Sequence, residues 1–172
     1  MRVFVVAFSL VAIVSVSVVA GAQQPATGQR QGGGQRGQNP PPLQGGVVTA
    51  ADFAAIVAKQ PKDRNGNATF LQLAPFNVNM EHRVPIMQAA SVHEKEAELF
   101  YVVDGGGTIV TGGKLTNEKR TNADNLTGDG IEGGTSKKIA KGDFILVPEG
   151  QPHWFSQIDG ELTLMSLHLP RK

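Results

Sequence analysis

The chain has 172 residues, with 16 Lys and Arg against 15 Asp and Glu, a formal net charge of +1 and no cysteine. That balance argues against a basic nucleic-acid binder, which needs a surplus of cations to neutralise phosphates. The missing thiols exclude disulfides and leave any metal to nitrogen and oxygen donors.

Arg2 supplies a short positive start, Val3 to Val19 an apolar run, and Ala20-Gly21-Ala22 a small-residue cleavage pattern. The run lies near the lower limit for a membrane span, and the cleavage pattern directly after it favours removal over a retained anchor. Residues 1–22 are therefore expected to be a signal peptide. The mature chain is expected in the periplasm or secreted, with no membrane attachment after cleavage. Residues 23–46 are rich in Gly, Gln and Pro, with Arg30 and Arg36 as their only charges and no apolar periodicity around Leu43. Such a segment buries too little to offset its ordering entropy and reads as a disordered linker. Residues 47–172 make one domain, slightly richer in acidic than in basic residues. Without disulfides it must be held by its hydrophobic core.

Thr49-Ala-Ala-Asp52 has the form of a capping box, followed by Phe53, Ile56 and Val57 at helical spacing and stopped by Pro61. A single short helix, packed outside a sheet, is predicted there. From Ala68 the pattern changes to short strands: Ala68 to Leu73, Val78 to Val84, Ile86 to Ser91, Glu98 to Val103, Thr108 to Thr111, Asp143 to Val147, His153 to Ile158 and Leu162 to Leu169. Turns are predicted at Gly105-Gly106-Gly107, Gly112-Gly113, Glu149-Gly150 and Asp159-Gly160. Residues 113–136 read as a long polar loop, a candidate lid or a surface insertion. Many short strands with almost no helix specify an all-β sandwich or barrel.

Two stretches carry chemistry. One is His93-Glu-Lys-Glu-Ala-Glu98, followed by an apolar strand and Gly105; the other places Gly142, Pro148, Gly150, His153 and Gln157 in one run. Together they resemble the two motifs of the cupin superfamily, H-x-H-x(3,4)-E-x6-G and G-x5-P-x-G-x2-H-x3-N. The second matches at every spacing, with Gln157 where the family has Asn. The first matches at His93, Glu98 and Gly105, but Ser91 stands where the leading histidine belongs. The resemblance implies an all-β cupin double-stranded β-helix, or jelly-roll barrel, with one short N-terminal helix. It also implies a divalent metal held by His93, Glu98 and His153.

Residues two apart on a strand share a face, so Phe100 follows Glu98 inward, and Phe155 and Gln157 follow His153. Ser91, Phe100, Phe155 and Gln157 are accordingly the expected pocket residues. Glu94 and Glu96 are expected to face solvent. A 2-His-1-carboxylate set leaves open positions on Fe or Mn, whereas Zn would be satisfied by three such ligands and a water. Taken singly, His93 is a solvated turn histidine and His153 a strand-edge one; their joint spacing carries the metal reading. Two further histidines are candidate catalytic groups or a fourth ligand. His168 shares a face with Leu162, Leu164 and Ser166, and His82 one with Val78 and Met80. Either could equally be a hydrogen-bonded core residue.

The resemblance leaves three functions open. The first is a metal-dependent enzyme of the dioxygenase, isomerase or lyase class acting on a small oxygen-rich molecule. The second is a non-catalytic module that binds a sugar or organic acid, and the third a structural or storage-type cupin with a degenerate site. The strand Leu99 to Val103 is apolar on both faces, which requires a cover. Either the helix or the second subunit of a homodimer would provide it.

Overall fold

The computed structural model describes residue 39 and residues 41–170. The expected signal peptide, and the expected linker up to residue 38, lie outside the described residues. In chain order the elements are α1 (Ala50–Val57), β1 (Gly66–Leu73), β2 (Phe76–Arg83), β3 (Ala90–His93), β4 (Glu96–Thr111) and β5 (Lys114–Thr116). They continue with β6 (Lys119–Arg120), β7 (Asn125–Gly128), β8 (Gly130–Glu132), β9 (Thr135–Ala140), β10 (Phe144–Val147) and β11 (His153–Pro170).

Two long strands organise the molecule. β4 and β11 pair antiparallel along nearly their whole length, from Glu96 opposite Pro170 to Thr111 opposite His153. Each serves two sheets. The first half of β4 and the second half of β11 form one sheet in the order β1-β2-β11-β4-β10. The other halves form a second sheet in the order β6-β7-β3-β11-β4-β9. A separate ribbon pairs β5 with β8. This is a double-sheet jelly-roll barrel, as the sequence predicts.

The predicted turns at Gly105-Gly106-Gly107 and Asp159-Gly160 do not end strands, because β4 and β11 run through both. The register shifts there, and the reason is a close backbone approach. A Cβ at Gly105 would collide with the Glu161 carbonyl oxygen, and one at Gly107 with that of Gln157. Gly105 also has φ +79, a conformation that side chains resist. Glycine thus lets the paired strands pass from one sheet to the other without a break.

Two further expectations are corrected. Residues 113–136 are not a loop but carry β5 to β8, with β7 completing the ladder of β3 from Ala90 opposite Gly128 to His93 opposite Asn125. The predicted strand from Ile86 begins only at Ala90. Ile86 and Met87 are exposed, while the buried Gln88 amide donates to the carbonyls of Val84 and Ile86. That bonding holds an irregular segment where apolar residues alone suggested a strand. Leu43, within the expected linker, bridges β1, with its N–H on the Phe70 carbonyl and its carbonyl taking the Gln72 N–H.

The core lies between the sheets and is built by Phe100, Val102, Ile109, Val147, Phe155, Leu162 and Leu164 among others. Each such side chain contributes about 1.5–3 kcal/mol by leaving water. α1 begins with the predicted capping box of Thr49 and Asp52. It packs Ile56 on Ala68 and Met80, outside the first sheet. Cross-strand register puts two apolar rows on that outer face: Ala68-Met80-Met165-Tyr101-Phe144 and Leu71-Val78-Leu167-Leu99-Leu146. The helix packs at the β1–β2 end of this face. At the other end Phe144 is 70% and Leu146 60% exposed.

Candidate metal centre

Backbone geometry brings the two sequence motifs together. The Gly150 N–H donates to the His93 carbonyl at 2.7 Å, so the turn that precedes β11 is tied to the end of β3. Gly150 has φ +71, which glycine adopts without strain. His153 then opens β11 beside Ser91 of β3 and Thr111 of β4. Glu98, two residues into β4 from Glu96, faces the barrel interior with Phe100.

Glu98 is the hub. Its Oε2 lies 3.2 Å from His93 Nε2 and 3.2 Å from His153 Nε2, and its Oε1 lies 3.2 Å from His168 Nε2. The donor atoms of His93, Glu98 and His168 fall within 4.8 Å of one another. His153 lies outside that mutual radius and meets the group only through the shared carboxylate. The side chains of Glu98 and His153 are each only 5% exposed, against 20% for His93 and 31% for His168. The cluster is therefore closed on the core side, where Phe100 meets Phe155 edge-to-face and lies near His153, and open on the His93–His168 side.

Electrostatics follow from this arrangement. Burial alone would push Glu98 up, but the His153, His168 and His93 imidazoles outweigh it and hold the carboxyl far below its ordinary value. For His93 burial acts downward, yet Glu98 and Asn125 together raise the imidazole. For His168 the contact with Glu98 outweighs burial, and Glu96 adds to it, so that imidazole is raised as well.

The outer partners fix which nitrogen faces inward. Asn125 Oδ1 stands 2.7 Å from His93 Nδ1. Glu96 Oε2 is 3.0 Å from His168 Nδ1, an ion-pair contact off the ideal hydrogen-bond direction. A proton kept on each Nδ1 leaves each Nε2 for the interior, the usual device for orienting metal-binding imidazoles. Glu96 was expected in solvent; its i, i+2 relation to Glu98 is the signal that could have placed it here. Glu94 does face outward, with both carboxylate oxygens on Arg120.

The remaining predicted residues divide. Ser91 is half-buried and lies opposite His153. Phe100 and Phe155 are fully buried core. Gln157 is exposed and donates to Asp159; a register shift between Phe155 and Gln157 breaks the expected alternation and turns Ile158 inward instead. His82 is fully buried on the outer face of β2, one residue out of phase with inward Glu81, and neither ring nitrogen has a hydrogen-bond partner. The structure does not bring it to the cluster.

No family model and no curated protein matches this chain. Among solved structures it is similar to BH2720 of Bacillus halodurans, at 16% identity and TM-score 0.50 over 73% of this chain and 81% of that one. It is also similar to KdgF from a Halomonas species, at 13% identity and TM-score 0.47 over 64% and 83% of the two chains. A third is a cupin superfamily protein of Desulfitobacterium hafniense, at 10% identity and TM-score 0.44 over 65% and 83%. The chain has the cupin fold. Likeness at this level establishes architecture, and the reaction has to be argued from the site.

The donor set fits a divalent metal. Imidazole nitrogen and carboxylate oxygen suit Fe, Mn and Zn. Three imidazoles converging on one buried carboxylate are otherwise a costly accumulation of titratable groups.

Proposed function

We propose that this protein is an exported, metal-binding cupin and a metal-dependent enzyme acting on a small oxygen-rich molecule. The observation that carries the reading is the convergence of His93, His153 and His168 on Glu98 at the open side of a sealed barrel. His93, Glu98, His153 and His168 would hold the metal, with His168 supplying the imidazole that Ser91 does not. Four protein donors leave about two positions on a six-coordinate ion.

When bound, the metal supplies Lewis acidity toward a carbonyl or enolate oxygen, or a place for oxygen. The chain's own residues do the rest. Asn125 and Glu96 keep protons on the outer nitrogens of His93 and His168. Phe100 and Phe155 exclude water from the core side. Glu98 carries the negative charge that offsets the cation. The reaction belongs to the dioxygenase, isomerase or lyase classes. Export is supported by the signal-like residues 1–22.

Elemental analysis of the mature protein purified without added metal tests this reading. Fe, Mn or Zn near one per chain supports it. Absence of metal, together with failure to bind added Mn(II), sinks it. A stoichiometric metal with no turnover of any oxygen-rich compound tried would instead support the non-catalytic module that binds a sugar or organic acid.

A further inference from the structure

Beside the cluster, at the rim of the barrel, lies a cleft of about 560 Å³ whose lining includes Lys95, Glu96, Asn122, Ala123, Asp124 and Asn125. Two of these residues are also the outer partners of the imidazoles, Glu96 for His168 and Asn125 for His93. The cleft therefore lies against the outer, Nδ1 side of His93 and His168, the two more exposed imidazoles, and shares two walls with the cluster. A larger cavity, about 650 Å³, lies away from the imidazoles between α1 and the outer sheet face, and its lining is mostly apolar.

We propose that the rim cleft binds the uncoordinated part of the substrate, and that this part is a neutral polyhydroxyl group of the kind a sugar presents. The inference rests on the metal-centre reading and selects the sugar-like class over the organic-acid class. The cleft lining holds two side-chain amides, two carboxylates, one ammonium and no aromatic ring. Asn122 Oδ1 already accepts the Asp124 N–H, Asn125 Oδ1 faces His93 and Glu96 Oε2 faces His168, so the amide NH2 groups are left as donors and the second carboxylate oxygens as acceptors, a mixture that suits adjacent hydroxyls. An anionic ligand is poorly served, because carboxylates outnumber the ammonium and Lys95 Nζ is already 2.6 Å from Asp124 Oδ1. An aromatic ligand finds no ring to stack against.

The cleft is also held open by its own frame. Arg120 spans from Glu94 to the carbonyl of Ala123, and the Glu94 N–H donates to the Asp124 carbonyl. These contacts tie the 121–124 turn to the turn between β3 and β4, so the binding surface is formed in advance and costs little ordering.

The test uses the full mature chain loaded with Mn(II). D-glucose, D-xylose and myo-inositol are compared with D-gluconate and D-xylonate by paramagnetic broadening of ligand protons. Broadening of the neutral probes beyond the acids is expected. Ala123→Phe, which fills the cleft without touching the cluster, should abolish it while Mn(II) affinity measured by calorimetry stays at the wild-type value. Asn122→Ala should weaken it and serves if the Phe variant does not fold. Acids broadened in preference to the neutral probes, or neutral broadening that survives Ala123→Phe, would overturn the proposal. If wild type binds no Mn(II), the metal-centre reading fails separately. The cleft is then read from the side-chain amide signals of Asn122 and Asn125: shifts on adding the neutral probes support it, and their absence refutes it.

Discussion

His168 stands directly opposite Glu98 across the β11–β4 pair, with Nε2 3.2 Å from Oε1. The last strand of the domain thus returns an imidazole to the carboxylate of the first motif. Ser91 leaves the motif one histidine short, and the cluster nonetheless contains three.

The first prediction concerns these four side chains. Alanine at His93, Glu98, His153 or His168 should each lower Mn(II) or Zn(II) affinity by more than the ~10–100-fold that outer partners are worth. Glu94→Ala, on the outward side with Arg120, should leave affinity unchanged. Calorimetric titration decides. Full affinity in His168→Ala would return the site to the three residues of the sequence motifs.

Asn125 and Glu96 should matter without being ligands. Asn125→Ala and Glu96→Ala should each weaken metal binding by ~10–100-fold, and Asn125→Asp should recover most of the loss because it keeps an acceptor on His93 Nδ1. Nitrogen NMR of the imidazoles gives an independent readout. In Asn125→Ala the proton preference of His93 for Nδ1 should disappear while the fold is intact.

Protons and metal should compete, with opposite signs in the two forms of the protein. Glu98 is depressed, so its contribution to stability is present above its unfolded value near 4.3 and is lost as pH falls through the folded value. His93 and His168 are raised, so theirs is complete below about 6.5 and is lost as pH rises through the folded values. The metal-free protein should therefore melt highest between about pH 4.5 and 6.5. The metal-induced increase in Tm should grow as pH rises above that window, since binding displaces the Nε2 protons. A metal-free Tm that rises steadily from pH 6 to 8 would contradict the assignment.

We expect a second copy of the chain to cover the far end of the outer apolar rows, because among the described residues α1 packs toward the β1–β2 end and Phe144 and Leu146 are exposed beside Tyr101. A homodimer is expected by light scattering at high micromolar concentration. Phe144→Ser with Leu146→Ser should convert it to monomer without loss of fold. A wild-type monomer at that concentration would refute the prediction.

Sequence alone determined the class of the fold and, through the motif resemblance, marked His93, Glu98 and His153, which the structure joins by 3.2 Å contacts at Glu98. Period-2 apolar strands punctuated by Gly and Pro specify a β barrel, and His93, Glu98 and His153 are local marks set at fixed distances from Gly105 and Gly150. What tertiary structure decided was everything that depends on pairing. Whether His168 or His82 approached Glu98 turned on register: His168 falls opposite Glu98, while His82 sits out of phase on the outer face. Gln157 left the expected face because a register shift reverses every side chain beyond it. Asn125 lay in a stretch too polar to suggest a strand, and only the backbone hydrogen bonds of β3 with β7 set it beside His93. Local chemistry is written residue by residue, whereas a ladder between distant strands is settled by the packing of the whole barrel.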